Sequence, residues 1–189
     1  SYESENTQSV NTIYLEKNKI IGHNTDIEGF ERSIRKTNFE TLNKKVLILG
    51  AGGVVPSIIF ALNKMKVSKI TISNRTKNKA EKLKDLFQNL KIIDWGEVPD
   101  SDIIINATSI GLKKEDKINL DFSKLGKNKF FYDVIYKPSE TNFLKNGKKL
   151  GNRTENGKLM FVYQAFAAFK KWHEIEPNIN KEVFKILDE

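Results

Sequence analysis

One stretch of the chain, residues 45–79, constrains the fold more than any other. It begins with the apolar run at 46–49, which is typical of a strand buried on both faces. A cluster of glycines follows at once, then a helix-length apolar segment, then a β-branched run at 70–72. Two parallel strands need a crossover of this kind, and such crossovers are almost always right-handed. The stretch therefore predicts a strand–helix–strand unit in a parallel sheet.

The glycines between the first strand and the helix suit a phosphate-binding turn. Gly50 permits a tight turn out of the strand, and Gly52 lets the backbone approach a pyrophosphate without a Cβ in the way. The start of the following helix offers free N–H groups to phosphates. The third small residue of the G-x-G-x-x-G fingerprint is replaced by Val55, so an ordinary strand–helix turn is the alternative. The position of the turn favours a dinucleotide site, whose candidate residues are Gly50, Ala51, Gly52, Gly53 and Val54.

The end of the second strand indicates which dinucleotide is bound. A chain that binds NAD normally carries Asp or Glu there, to hold the hydroxyls of the adenosine ribose. This chain has Asn74, Arg75 and Thr76 instead, with Lys79 one helical turn on, and no acid. An acid would repel a 2′-phosphate, whereas Arg75 and Lys79 attract it. A solvated basic helix start is the alternative, and the missing acid favours NADP as the cofactor.

Composition excludes several classes of protein. At 189 residues, with 39% hydrophobic and 30% charged residues, the chain is typical of a globular protein with one good-sized core. It has no apolar run of membrane length and no signal-peptide pattern, so a cytoplasmic location is the expectation. No cysteine and only two histidines argue against a metal site. The net charge of +8 is interleaved with acids, so neither a nucleic acid nor a membrane is an expected partner.

Strands and helices alternate along the rest of the chain. Apolar runs at 91–93, 102–106 and 130–136 predict further strands, and 159–172 predicts an amphipathic helix. Residues 1–9 are polar and without periodicity, and predict either a frayed terminus or the tail of a preceding segment. The alternation predicts an α/β fold with a doubly wound parallel sheet of the Rossmann type.

Two groups of polar residues have both a structural and a functional interpretation. Asn106 ends a predicted strand, and Thr108 and Ser109 follow it. Ligands of parallel sheets bind at such an end, so all three are candidates to line the cofactor cleft. From spacing alone, an ordinary polar turn at the strand end is about equally well supported. Asp26 lies at a predicted helix start, where Thr25 and Glu28 fit a capping box. Local physics favours a capping role for this acid.

Several segments together resemble the shikimate dehydrogenase family. They read SVNTI at 9–13, GHNTD at 22–26, GAGG at 50–53, SNRT at 73–76, NATSIG at 106–111, YDVIY at 132–136 and GKLMFVYQAF at 157–166. The segments follow the order and spacing of the family over nearly the whole chain. Their combination is far more specific than any one motif.

The resemblance implies NADPH-dependent reduction of 3-dehydroshikimate to shikimate, on the pathway to aromatic amino acids. Hydride would pass from the nicotinamide to the ring carbonyl, and a lysine working with an aspartate would deliver the proton. Asp26 matches that aspartate, so the resemblance favours a substrate-facing role over the capping role. The matching substrate-binding residues are Asn11, Asp26, Tyr136 and Gln164, and those beside the nicotinamide are Val134 and Gly157.

The resemblance also implies a part that this chain does not match. The catalytic lysine of the family lies in an N-terminal substrate domain, upstream of the segment that matches 9–13. We therefore expect a remnant of that α/β domain at 1–30, a Rossmann-like NADP-binding domain at 31–165, and C-terminal helices that pack toward the substrate domain at 166–189. Without the lysine, an NADP-dependent dehydrogenase of this kind is expected to be inactive, and the resemblance is compatible with a homodimer. The alternatives are a non-catalytic NADP-binding module and a quinate/shikimate dehydrogenase relative that uses NAD.

Overall fold

The structure is a computed structural model that describes residues 1–187. The first part of the chain forms helix α1 (Tyr2–Thr7), strands β1 (Thr12–Glu16) and β2 (Lys19–His23), and helix α2 (Asp26–Lys36). The two strands pair antiparallel as a hairpin and form a sheet of their own. The hairpin therefore stands apart from the main sheet, and α2 leads the chain away from it.

Helix α1 shows that the prediction of a frayed terminus at 1–9 was wrong. Its buried side is polar, because Ser4 and Thr7 are the side chains that it buries. The Ser4 hydroxyl lies 2.9 Å from the carbonyl oxygen of Gly22, and the Thr7 hydroxyl lies 3.2 Å from the amide nitrogen of the Asn24 side chain. A search for apolar periodicity misses a helix that is held by hydrogen bonds of this kind.

Six parallel strands form the centre of the fold. They are β3 (Lys45–Leu49), β4 (Lys69–Ser73), β5 (Leu90–Ile93), β6 (Ile103–Asn106), β7 (Phe130–Asp133) and β8 (Arg153–Glu155). Their order across the sheet is β5-β4-β3-β6-β7-β8, so the chain winds outward from β3 to β5 and then returns to the other side of β3. This order confirms the predicted doubly wound sheet.

Helices cover both faces of this sheet. They are α2, α3 (Val55–Lys64), α4 (Lys77–Glu81), α5 (Asn142–Lys149) and α6 (Lys158–His173), whereas a last helix, α7 (Lys181–Ile186), buries no side chain. Val46 and Ile48 of β3 belong to a hydrophobic cluster with α2, α3 and α6, whereas Leu47 and Leu49 belong to a second cluster with α5. Each of these four side chains is fully buried, which contributes about 2 kcal/mol per side chain to stability. No helix within residues 1–187 has the length and apolarity needed to cross a bilayer.

Two details of the sheet differ from the sequence prediction. The predicted strand at 130–136 ends at Asp133, and the chain then passes the start of α6 on its way to α5, with the Gly157 N–H donating to the carbonyl oxygen of Ile135. Strand β8 was not predicted, since Arg153, Thr154 and Glu155 carry no apolar pattern. It pairs with β7 at the sheet edge, where one-sided hydrogen bonding suffices to hold a polar strand.

Helices α2 and α6 pack against each other and join the hairpin side of the molecule to the main sheet. The predicted segment boundaries at 30/31 and 165/166 fall inside these two continuous helices. The division at 1–30, 31–165 and 166–189 therefore stays a prediction, and residues 188–189 lie outside the described residues. At the far end of α6, the indole nitrogen of Trp172 donates to the carbonyl oxygen of Ile13 in β1 at 2.9 Å.

Candidate functional site

The carboxyl ends of β3 and β6 lie side by side where the strand order reverses. In open parallel sheets, ligands bind in the crevice at this point. Gly50 follows β3 with a φ of 112°, which residues with side chains rarely adopt. A Cβ at Gly50 would lie 2.7 Å from the carbonyl oxygen of Ala107, which follows β6. Gly50 is therefore required both by its backbone angle and by the close approach of two loops.

A cleft of about 580 Å³ opens at this edge of the sheet. The predicted cofactor residues that line it are Gly50, Ala51, Gly52, Asn74, Arg75, Lys79, Thr108 and Ser109. The predicted residues that do not line it are Gly53, Val54, Thr76, Val134 and Gly157. The structure thus brings the glycine turn, the end of β4 and the end of β6 around one cavity.

The wall of the cleft beyond β4 carries positive charge. Arg75 and Lys79 are exposed, and neither forms an ion pair with a carboxylate within residues 1–187. The amide nitrogen of Asn74 donates to the carbonyl oxygen of Thr76 at 2.7 Å, which shapes the turn between them. No Asp or Glu of the described residues lines the cleft. A phosphate dianion would meet only attractive charges here.

The wall of the cleft beyond β6 is shaped by one buried side chain, Asn106. Its Oδ1 accepts hydrogen bonds from the backbone N–H and the hydroxyl of Thr108, at 3.1 and 2.7 Å. Its Nδ2 donates to the carbonyl oxygen of Ile110 at 3.1 Å and to Asp133 Oδ1 at 3.0 Å. All of its polar atoms are therefore used to fix the loop that carries Thr108 and Ser109. The prediction that Asn106 lines the cleft was wrong, because its side chain is fully buried and holds this loop from behind.

Asp133, at the end of β7, is the buried charge behind this wall. Besides Asn106, the backbone N–H of Ile135 donates to its Oδ1 at 3.0 Å, and the Thr141 hydroxyl donates to its Oδ2 at 2.6 Å. Its side chain is fully buried. Burial raises the pKa of Asp133 to about 6, and the hydrogen bonds from Thr141, Ile135 and Asn106 oppose this rise.

The raised pKa of Asp133 predicts a loss of stability with rising pH. Between about pH 4 and pH 6 the folded chain keeps a proton that an unfolded aspartate has already released. The contribution of Asp133 to the free energy of unfolding therefore falls across this range, by about 3 kcal/mol for a shift of about two pH units. In Asp133→Asn this loss should be absent, because an amide does not ionise in this range. The variant keeps hydrogen-bond partners, since its amide can donate to the Thr141 hydroxyl while its oxygen still accepts from Asn106.

Urea unfolding of both proteins at pH 4, 5, 6 and 7 measures this difference. The control is Asp85→Asn, which removes an exposed carboxylate and so matches the change of net charge. Parallel pH profiles for the wild type and Asp133→Asn would contradict the assignment of the raised pKa.

A second polar cluster lies where the hairpin meets α2. The side-chain oxygen of Asn11 accepts from the backbone N–H of Thr25 at 2.9 Å and from its hydroxyl at 3.1 Å. The side-chain nitrogen of Asn11 donates to Asp26 Oδ1 at 3.0 Å. Partial burial raises the pKa of Asp26, and the hydrogen bond from Asn11 opposes the rise. The structure thus brings together two of the predicted substrate-binding residues.

The predicted capping box at Thr25 is wrong. Thr25 has helical backbone angles and makes no side-chain capping bond, because its hydroxyl is turned toward Asn11. Asn24 takes over this task, since its Oδ1 accepts from the backbone N–H of Asp26 at 3.0 Å. The Nδ2 of Asn24 donates to the Ser57 hydroxyl of α3 at 2.9 Å. Asn24 therefore ties the start of α2 to the helix that follows the glycine turn, a link that sequence analysis missed.

The other predicted substrate and nicotinamide residues lie around the first two turns of α6. The Tyr136 ring stacks on Phe161 with 4.8 Å between ring centroids. The side-chain nitrogen of Gln164 donates to the carbonyl oxygen of Phe161 at 3.0 Å. Gly157 is buried against Val134. These four predicted residues thus share one region, although none of them lines the cleft.

Five residues that line the cleft were not predicted: Ala107 and Ile110 flank Thr108 and Ser109, and the remaining three are Trp95, Lys117 and Asn119. Trp95 follows β5, and the other two belong to the connection between β6 and β7. No motif surrounds these last three, so only the folded chain places them at the site. Among residues 1–187, no three His, Cys, Asp or Glu side chains are grouped to hold a metal ion.

Comparison with known proteins decides the family. A family model described as "Shikimate / quinate 5-dehydrogenase" matches residues 33–133, more than half of the chain. The shikimate dehydrogenase (NADP(+)) of Pelagibacter ubique is 61% identical over 188 residues, which cover all of this chain and 71% of that protein. The chain belongs to the shikimate dehydrogenase family. This membership confirms the resemblance drawn from the sequence motifs.

Two solved structures show how far the similarity to shikimate dehydrogenases extends. The Thermus thermophilus shikimate 5-dehydrogenase in complex with NADP(H) and shikimate is 27% identical, with a TM-score of 0.83 over 94% of this chain and 67% of that one. The Corynebacterium glutamicum quinate dehydrogenase in complex with NAD is 28% identical, with a TM-score of 0.90 over all of this chain and 71% of that one. The fold is therefore shared by relatives that bind either dinucleotide, and the residues of the cleft must decide between them.

Proposed function

We propose that this chain binds NADP(H) and supplies the cofactor side of an enzyme that reduces 3-dehydroshikimate to shikimate. The observation that carries the proposal is the cleft at the ends of β3, β4 and β6, which holds Arg75 and Lys79 and no acid. The Pelagibacter ubique relative, named as an NADP(+) enzyme, supports the same cofactor. A cytoplasmic location and a homodimer belong to the proposal.

The residues of the cleft fit the parts of NADP(H). Gly50 and Gly52 leave backbone room for the pyrophosphate at the start of α3, where a larger residue at Gly50 would strike Ala107. Arg75 and Lys79 would hold the 2′-phosphate, with Asn74 and Thr76 beside them. Val134 and Gly157 would flank the nicotinamide. When bound, NADPH supplies the hydride for reduction of the carbonyl.

On the substrate side, Asn11, Asp26, Tyr136 and Gln164 would orient the hydroxyls of the ring. Asp26 is half-buried, and its only side-chain hydrogen bond within residues 1–187 comes from Asn11. A carboxylate in such a place can hold a cationic partner close to the substrate. No lysine within residues 1–187 forms an ion pair with Asp26, so the proposal assigns the proton-delivering lysine to the substrate domain that the family resemblance implies.

The proposal predicts a strong preference for NADPH over NADH. In Arg75→Ala we expect most of this preference to disappear, with an NADPH affinity about 30-fold lower, because the planar guanidinium makes paired hydrogen bonds to a phosphate. NADH affinity should change little. Titration of the cofactor fluorescence measures both constants, and Arg35→Ala, which removes an exposed arginine paired with Glu31, is the control. Equal affinities of the wild type for the two cofactors would refute the NADP assignment.

A second candidate is a quinate dehydrogenase activity with NAD. The high TM-score to the Corynebacterium glutamicum enzyme favours its inclusion. The cofactor titration separates the two, because a chain adapted to NAD should bind NADH at least as tightly as NADPH. Shikimate and quinate oxidation rates, measured on an enzyme that includes the substrate domain, then decide the substrate.

A further inference from the structure

The connection between β6 and β7 forms a second wall of the cofactor cleft. Lys117 and Asn119 are exposed and line the cleft, whereas Ile118 and Leu120 between and after them are buried in the second hydrophobic cluster. This alternation is that of an extended segment anchored by every second side chain. It places Lys117 and Asn119 on the same exposed side, where both line the cofactor cleft and also a neighbouring cavity beside α5.

The chain just before Lys117 is fixed in place by hydrogen bonds. The side-chain nitrogen of Asn142, in the first turn of α5, lies 3.0 Å from the carbonyl oxygen of Lys114 and 2.8 Å from that of Asp116. The Asp116 carboxylate accepts from the backbone N–H of Gly111 at 3.1 Å. The segment is therefore held before any ligand arrives, which lowers the entropic cost of using Lys117 in binding.

The charge of Lys117 is free for a ligand. Lys117 forms no ion pair within residues 1–187. Together with Arg75 and Lys79 it gives the cleft three cations and no acid. Three cations exceed what a pyrophosphate at the glycine turn needs, because backbone N–H groups at the start of α3 already serve that group. The excess of positive charge points to a second dianionic group in the same cavity.

Trp95 adds an aromatic side chain to this half of the cleft. It follows β5, the strand next to β4, so it lies on the side of Arg75 and away from β7. Its side chain is partly buried against the second hydrophobic cluster and also lines the cavity. A purine ring gains about 1–3 kcal/mol by stacking on such a ring.

We propose that Lys117 and Trp95 complete the adenosine subsite of the cleft. Lys117 is a third specificity-determining cation for the adenosine 2′-phosphate, and Trp95 provides a face for the adenine. The inference rests on the proposed binding of NADP(H). It adds a second wall to the subsite, built from a part of the chain that carries no cofactor motif.

The role proposed for Lys117 predicts that its substitution lowers the affinity only for the cofactor that carries the 2′-phosphate. Lys117→Gln should weaken NADPH binding about fivefold and leave NADH binding unchanged, because a half-solvated charge pair is worth about 1 kcal/mol. Lys114→Gln is the matched control, since it removes an exposed lysine of the same connection that lines a different cavity. Raising the salt concentration should reduce the difference in NADPH affinity between Lys117→Gln and Lys114→Gln, because salt screens exposed charges.

The role proposed for Trp95 predicts that its substitution lowers the affinity for both cofactors, with or without the 2′-phosphate. The sequence has two tryptophans, so Trp172→Phe leaves Trp95 as the only one. In that background, NADP⁺ should quench the tryptophan fluorescence on binding. Trp95→Leu should weaken NADPH and NADH by the same factor, about tenfold, and Trp95→Phe should restore most of the affinity.

The outcomes separate this inference from the proposed function. The cofactor assignment stands if the wild type prefers NADPH and Arg75→Ala removes the preference. The second wall is nevertheless refuted if Lys117→Gln and Lys114→Gln have the same NADPH affinity and NADP⁺ does not quench the fluorescence of Trp95. If the wild type binds neither dinucleotide, both are refuted. A specific NADPH defect in Lys117→Gln, with an equal loss of both cofactors in Trp95→Leu, supports the full subsite.

Discussion

Asp26→Asn should lower the turnover of 3-dehydroshikimate by about a hundredfold or more. The amide keeps the shape of the side chain and can still accept the hydrogen bond from Asn11. It cannot carry the negative charge that holds a lysine beside the substrate. Because Asp26 does not line the cofactor cleft, NADPH affinity should stay within about twofold of the wild type.

The experiment measures kcat, KM and the NADPH dissociation constant in an enzyme that joins these residues to the part of the Pelagibacter ubique relative that this chain does not cover. The control is Glu28→Gln, which changes an acid in the same helical turn that pairs with Arg32 on the surface. We expect less than a twofold effect from it. An unchanged kcat in Asp26→Asn would return Asp26 to the role of an acid at a helix start.

Gly157→Ala should destabilise the fold by about 3 kcal/mol or more. A Cβ at Gly157 would lie 1.9 Å from the carbonyl oxygen of Val134 and 2.6 Å from its carbonyl carbon. These are backbone atoms, so relief requires the loop after β7 to move away from the start of α6. The hydrogen bond from the Gly157 N–H to the carbonyl oxygen of Ile135 would be lost in that movement.

Thermal and urea unfolding measure this effect, with Gly53→Ala as the matched control. A Cβ at Gly53 meets no atom within 4 Å, and its φ is not positive, so the substitution should change stability by less than about 0.5 kcal/mol. Equal stabilities of the two variants would show that the loop after β7 can move away from α6 at little cost in free energy. In that case Gly157 would owe its presence to the ligand and not to the fold.

The parts of the fold that the sequence predicted are those with a strong local signal. The apolar run of β3, the glycine turn and the acid-free end of β4 each have a local physical explanation, and the glycine turn and the end of β4 line the cleft. Elements that are held by polar contacts were not predicted. Helix α1 buries Ser4 and Thr7, and β8 is a polar edge strand, so neither shows an apolar period.

The residues of the site also divide into those with a local sequence signal and those without one. Arg75 was predictable because it stands where a different cofactor would require an acid. Asn24 was not, because its partner Ser57 lies 33 residues further along the chain. The prediction for Thr25 failed for a related reason. A threonine at a helix start usually caps the helix, but in the folded hairpin Asn11 lies close enough to accept a hydrogen bond from the Thr25 hydroxyl.

Helix α6 runs from Gly157, proposed for the nicotinamide, to the hairpin that carries Asn11. It spans 16 residues without glycine or proline, so it is about 24 Å long and tilts as one rod. A tilt of about 5° with its pivot at Gly157 moves Trp172 by about 2 Å, following from that length. Trp172 holds Ile13, two residues from Asn11, so the hairpin is carried along. The angle of this one helix would thus change the distance between Asn11 and the residues proposed for the nicotinamide.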